Sequence, residues 1–439
     1  MSTLKLSLIG FGARLTVNLV NVVTVILLAR YLEPQGRGEY FLFQAMVSVL
    51  TVLGDLGLSQ SANVFAGRQR DSAANVHAVL IRGVWLLWAC LTGIGGSVLF
   101  FAGERLMPNF PREWQLAAFA VLPFTLYAGF WNSLMIGMGN IQVLNAVQLV
   151  MSPLQLLLVI VFVVGLSAGV GSAVLIYLLV MLLQSLVMAV LAGRFELRHG
   201  QEKGSLRILT TQMLSFGLRG YPGSLSTMLW MRIPVFLLNA FHGPVAVGIF
   251  SVAQQLAERV LLPMQAFQDA IYRKMSMLPA QEAKASMNRY LRFVTTGIGG
   301  VLPLGIFLAP WVIVLLFGKA YTEATQVFCV LLVGTAFVGL AMVLSPYLLG
   351  QLERPGLLSL LAGANAVTCL VLSLWLIPIG AQLGAAWALA LTQLLGTMTV
   401  LGIYVRLAGT SFYDTMLLSK QDIVMLFNQI ETLARWKRA

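Results

Sequence analysis

Arg14 and Arg219 each stand a few residues inside a long apolar run. A charge facing lipid costs at least about 2.5–3.5 kcal/mol, so charged groups in such runs face an interior or a water-filled cavity. The planar guanidinium fork suits phosphate, whose oxygens it can bind two at a time. Arg232 stands in the same run as Arg219, just before Pro234, and is a third such group. At about 100° per residue, Asn18 and Asn21 share a helix face with Arg14, and the set reads as a surface for an anionic head group. The acids in apolar runs are Asp55, Glu258 and Asp269. They suit ion pairing or a titrating H+ or Na+ coupling site, and an Arg14–Asp55 ion pair is the competing reading for Arg14. Arg259 adjoins Glu258 but points about 100° away, so it reads as a packing or snorkelling group. Arg82 and Arg292 fall at span ends and read as anchors.

The elements that must position these residues are membrane helices. Of 439 residues 59% are apolar and 10% are charged, far below the roughly 25% charged of a soluble domain. A crossing takes about 20 residues. Twelve spans are expected near 8–30, 40–65, 79–101, 114–136, 145–165, 172–192, 214–240, 246–270, 292–316, 326–349, 357–377 and 384–407. With the N-terminus inside, 18 Lys and Arg fall in inner segments, five in outer loops (Arg37 among them) and five within or near spans. This asymmetry predicts cytoplasmic termini and an inner-membrane location. The basic balance is thus topological and implies no nucleic acid. The tail over 409–439 is too polar to span. Its Ile423, Phe427, Ile430 and Trp436, with Arg435, Lys437 and Arg438, read as a surface helix on an anionic leaflet or as a frayed end.

Four spans carry polar stripes. Span one has Arg14, Asn18 and Asn21, and span two has Gln44, Ser48, Thr51, Asp55 and Ser59. Span five has Asn145, Gln148, Ser152 and Gln155; span eight has Ser251, Gln254, Gln255, Glu258, Gln265 and Asp269. They read as the walls of a hydrated cleft, against interhelical hydrogen-bond glue as the rival. Pro222, Pro234 and Pro263 interrupt spans seven and eight, where kinks beside a moving cleft are expected.

The chain also repeats. Gly10-Phe11-Gly12-Ala13-Arg14 matches Ser215-Phe216-Gly217-Leu218-Arg219, and Pro34–Tyr40 matches Pro244–Phe250. Two six-span halves in one orientation follow, related by an axis along the membrane normal, an arrangement used by transporters that rock one half against the other. The expected organisation is an all-α polytopic protein with lobes at 1–193 and 214–408 and a linker at 194–213.

No phosphate loop, zinc-protease or serine-hydrolase motif is present. Cys90, Cys329 and Cys369 lie singly in apolar runs, and His77, His199 and His242 read as solvated loop groups. No metal, cofactor or enzymatic role is expected. A membrane-embedded transferase or polymerase would need larger loops, and a scaffold would have little use for polar stripes.

Four segments in order resemble the polysaccharide-exporter branch of the multidrug/oligosaccharidyl-lipid/polysaccharide superfamily, the Wzx-type flippases. They are LLARYLEPQGRGEY (27–40), FHGPVAVGIFSVAQQLAE (241–258), LLFGKAYTEA (315–324) and LIPIGAQLGAAWA (376–388), and the resemblance covers 8–408. It implies two six-helix lobes and a cationic cleft between spans one, two, seven and eight. It also implies a substrate: an undecaprenyl-pyrophosphate-linked oligosaccharide moved between leaflets by alternating access. Arg14 and Arg219 lie where such a cleft would hold the pyrophosphate. Membrane lipids, a polysaccharide polymerase and chain-length proteins are the implied partners. Pro234 stands where many relatives place an Asp. Twelve spans favour the O-antigen or exopolysaccharide type over the fourteen-span lipid II flippases. An organic-cation antiporter of the same superfamily is the nearest rival and would call for an acidic cleft.

Overall fold

The computed structural model describes residues 3–68, 73–195, 203–350 and 355–416. The residues named above for a surface helix in the tail, together with His199, lie outside them. Among the described residues nine helices are long and apolar enough to cross a membrane. The protein is an all-α, multi-pass membrane protein. In hydrocarbon every backbone N–H and C=O must be satisfied within the segment, which leaves these apolar runs no other conformation than helix.

The helices are α1 (Thr3–Asp55), α2 (Leu58–Arg68), α3 (Ala73–Leu106), α4 (Arg112–Gly137), α5 (Ile141–Leu158, continued by a π-turn at Val159–Gly165) and α6 (Gly169–Arg194). The second half holds α7 (Lys203–Arg259), α8 (Leu262–Met277), α9 (Ala280–Phe317), α10 (Ala324–Gly350), α11 (Pro355–Ala408) and the short α12 (Phe412–Met416). Helix extends to Arg194 and resumes at Lys203, so the polar linker expected over 194–213 is shorter than its composition suggests.

Three helices bend sharply, α1 at Glu33 (φ 56°), α7 at Gly243 (φ 79°) and α11 at Ala381 (φ 45°), and each has two arms. Nine helices with three elbows give the twelve expected spans. Pro34 and Pro244 follow the first two elbows. Proline suits the first turn of a helix, where its missing N–H has no intrahelical partner, so each starts a second arm.

All three elbows share one face. Tyr321 Oη donates to Ala29 O at 2.8 Å, His242 Nε2 to Ile377 O at 2.9 Å, and Gln382 Nε2 to Glu323 Oε2 at 2.6 Å. Asn239 Nδ2 reaches Pro108 O at 2.7 Å, which brings the α3–α4 loop to the same face. On the opposite face Tyr221 Oη donates to Leu53 O, and Ser61 Oγ donates to Met213 O at 2.5 Å.

One buried apolar cluster joins both halves through their depth, from Ala62 and Met213 on the opposite face to Tyr40, Phe250, Tyr321 and Ala385 at the elbow face. A second, around Met275, Met287, Leu344 and Tyr404, belongs to the second half alone. Outward-facing groups such as Phe100, Phe101 and Ile379 are 75–84% exposed, as lipid contact requires.

Candidate functional site between the two halves

The two halves meet most closely at a reciprocal backbone crossing. A Cβ on Gly38 would strike the Pro244 carbonyl, and one on Gly248 would strike the Pro34 carbonyl. These glycines are repeat-related, and only residues without a side chain let the two arms cross this closely. A second crossing lies on the opposite face, where a Cβ on Gly217 would sit 2.6 Å from Gly57 O and one on Gly57 would meet the Gly217 backbone.

Between these crossings the second arm of α7 gathers the polar groups. Gln254 Nε2 donates to Glu258 Oε1 at 3.0 Å, and Glu258 interacts electrostatically with both Arg232 and Arg259. Arg232 also lies over the Phe41 ring of the other half, with Cζ 5.6 Å from its centroid, while its Nε has no hydrogen-bond partner among the described residues. Arg259 Nη1 donates to Asn18 Oδ1 at 3.1 Å, across the lobe boundary. One helical turn nearer the elbow, Gln255 Oε1 accepts from Arg37 Nη2 at 2.9 Å. Two guanidinium groups, Arg232 and Arg259, thus share one carboxylate, and Arg37 binds the neutral amide of Gln255 one turn away.

The expected site residues fall into three groups. Asn18 and Arg232 belong to this cluster, as does Glu258. Arg14 and Arg219 are both exposed, and they stand at different heights: Arg219 lies more than a helical turn further from its elbow than Arg14 does. Arg219 lines an open depression of about 500 Å³ with Thr211, Leu214, Ser215 and Leu218. Asn21 is half-buried on the first arm of α1. Asp55 has a structural task. Its carboxylate accepts from Gly57 N and Ser59 N at 3.1 Å and from Ser59 Oγ at 2.5 Å, capping the break before α2. Asp269 is on α8, and its side chain is outside the described residues.

The stripe on span two divides likewise. Thr51 Oγ1 meets Thr125 Oγ1 at 2.9 Å, which is interhelical glue, and Gln44 Nε2 reaches Tyr40 Oη at 3.4 Å. Arg259 is a correction: the helical wheel turns it away from Glu258, and that direction leads to the other lobe. Arg37 is another. Expected in an outer loop, it is 1% exposed. His77 is also not solvated, being buried on α3 with Nε2 3.4 Å from Tyr127 Oη. Cys369 is buried and donates to Trp230 O at 3.2 Å, whereas Cys90 faces outward. Among the described residues no three His, Cys, Asp or Glu groups converge as a metal site requires.

Solved structures share this bent-helix, two-lobed bundle. An inward-facing multidrug resistance transporter of the MATE family, in the MOP superfamily, aligns with TM-score 0.69 at 16% identity, covering 90% of this chain and 94% of that one. The lipid II flippase MurJ in an inward closed conformation gives 0.68 at 14%, covering 97% and 93%. A MOP transporter from Pyrococcus furiosus, described as having a binding pocket of reversed polarity, gives 0.60 at 15%, covering 92% and 94%. No curated protein sequence matches significantly. The family model for polysaccharide biosynthesis proteins matches residues 4–272, more than half of the chain. The chain belongs to the polysaccharide biosynthesis protein family.

Proposed function

We propose that this protein is a flippase that moves a polyprenyl-pyrophosphate-linked oligosaccharide repeat unit from the inner to the outer leaflet of a bacterial inner membrane, for O-antigen or exopolysaccharide assembly. The observation that carries this reading is the charge between the lobes: Arg37, Arg232 and Arg259 against Glu258. A site of this polarity attracts an anionic head group and repels an organic cation. The head group would be met first by Arg14 and Arg219, exposed toward the face opposite the elbows. It would then pass to Asn18, Asn21, Arg232 and Arg259, whose guanidinium groups neutralise the phosphates. With Asp55 engaged as a helix cap, Glu258 is the acid best placed for H+ or Na+ coupling.

Replacing Arg232 and Arg259 with Ala, singly and together, tests the reading. Export of surface glycan per folded protein should fall at least about tenfold, the loss of about 1.4 kcal/mol or more of charge-assisted binding. Undiminished export in the double variant would overturn the assignment. Efflux of organic cations abolished by Glu258→Gln, with glycan export intact, would favour the antiporter.

A further inference from the structure

Arg37 is one of the largest fully buried side chains in the described structure and has no counter-ion there. It is 1% exposed, one Nη donates to Gln255, and Cζ lies 5.8 Å from the Tyr40 ring centroid. Its Nε has no hydrogen-bond partner among the described residues. The titratable groups that interact with it electrostatically are the hydroxyls of Tyr40 and Tyr321, and no carboxylate pairs with it among the described residues. Phenols of ordinary pKa near 10 supply no negative charge at neutral pH. A buried charge without a partner is costly, and an apolar side chain of similar volume is usually at least as stable in its place. A purely structural role therefore accounts poorly for arginine here.

Its position supplies a reason. The next residue, Gly38, forms the backbone crossing with Pro244 and Gly248 that joins the halves at the elbow face. Parting the halves there would open Arg37 to water. Its partner Gln255 lies one turn along α7 from Arg259, so Arg37 is the next guanidinium toward the elbow face. We infer that Arg37 is a second phosphate-binding station, buried while the elbow seam is closed and exposed when it opens, which takes the pyrophosphate head group after Arg232 and Arg259. The inference rests on the proposed flippase reading. It adds that the anion is held at two levels, with the bare Nε and the remaining donors of Arg37 completing the upper one.

The test uses the full-length chain with Arg37→Met, Arg37→Gln and Arg37→Lys. Arg37→Met should stay folded with a thermal midpoint equal to or above that of the parent, and glycan export should fall at least tenfold. Arg37→Lys should recover part of the export and Arg37→Gln none. In purified protein whose seam is held apart by Gly248→Ala, Arg37→Met should weaken inorganic pyrophosphate binding about tenfold or more. With the seam intact it should leave that binding unchanged. Normal export by Arg37→Met overturns the second station, as does rescue by Gln but not by Lys. Loss of folded protein in Arg37→Met overturns it too, since the closed state should gain from losing this charge. If Arg232→Ala and Arg259→Ala abolish export while Arg37→Met does not, only the second station fails. If all three export normally, the flippase reading fails with it.

Discussion

Arg259 on α7 donates from Nη1 to Asn18 Oδ1 on α1, 3.1 Å away and 241 residues earlier in the chain. It is a charge-assisted bond between the first arm of one half and the second arm of the other. Such bonds contribute about 1.5–3 kcal/mol. If the lobes separate during transport, this bond breaks in every cycle. Asn18→Ala should then shift the population toward separated lobes by roughly tenfold or more. A thiol introduced at Asn21 would report it, reacting correspondingly faster with a hydrophilic reagent in the Asn18→Ala background. Equal rates in both backgrounds would show that the bond does not hold the lobes together.

The elbow seam makes a sharper prediction. A methyl group on Gly38 or Gly248 must displace backbone on the other half, and no rotamer change can relieve that clash. Gly38→Ala and Gly248→Ala should each hold the elbow face open, and because the contact is reciprocal their effects should agree. Glycan export should drop to background, with protein levels within about twofold of the parent. A reagent applied from the elbow side should label a thiol placed at Tyr40 in either variant but not in the parent. Labelling in the parent at the same rate would show the seam to be open already.

Much of the fold follows from local sequence. Apolar length and the spacing of basic loops are enough for twelve spans. The repeat of Pro34–Tyr40 in Pro244–Phe250 marks both seam arms. The elbows were less visible. Glu33 and Ala381 adopt positive φ without being glycine, so nothing in residue type marked them, although proline after Glu33 restricts that residue. Span two starts earlier than its composition suggests, because its helix begins at Pro34, within the polar stretch before Tyr40, and breaks at Gly57 after a capping acid. The site was harder to read, for a physical reason. Arg37 and Arg259 find their partners 218 and 241 residues away, and a helical wheel reports direction without saying what lies there. In sequence Arg37 reads as a loop charge and Asp55 as a cleft acid, whereas Arg37 is buried and Asp55 caps α2. The signal that could have exposed Arg37 is its place in the repeat, one residue before the seam glycine.

Glu258 should be the group whose loss is felt most in stability. It faces Arg232 and Arg259 and is held by Gln254. Removing one partner of a buried charge cluster typically costs about 3–5 kcal/mol, because the remaining charges are left uncompensated. Glu258→Gln should lower the thermal midpoint markedly, and millimolar inorganic pyrophosphate should restore it by replacing the missing negative charge. The double variant Glu258→Gln with Arg232→Gln should be less destabilised than the sum of the singles, a coupling measurable in a double-mutant cycle. Additive losses would show that Glu258 and Arg232 act independently.

The crossing on the opposite face should act against the elbow seam. Gly217 and Gly57 meet backbone to backbone there, with Ser61 Oγ 2.9 Å from a Cβ on Gly217 and bonded to Met213 O. Gly217→Ala would push α2 away from α7 and open this face, while leaving Gly38 and Gly248 free to close. If the two seams serve one rocking motion, holding one apart favours closure of the other. Gly217→Ala should therefore raise accessibility near Ser215 from the opposite face and lower it near Tyr40. Gly248→Ala should do the reverse, and combining the two should leave both faces accessible and the protein unable to export. The measurement is thiol labelling from each side in oriented vesicles. Accessibility at both faces rising together in either single variant would show that the seams open independently, and alternating access through this pair of crossings would have to be abandoned.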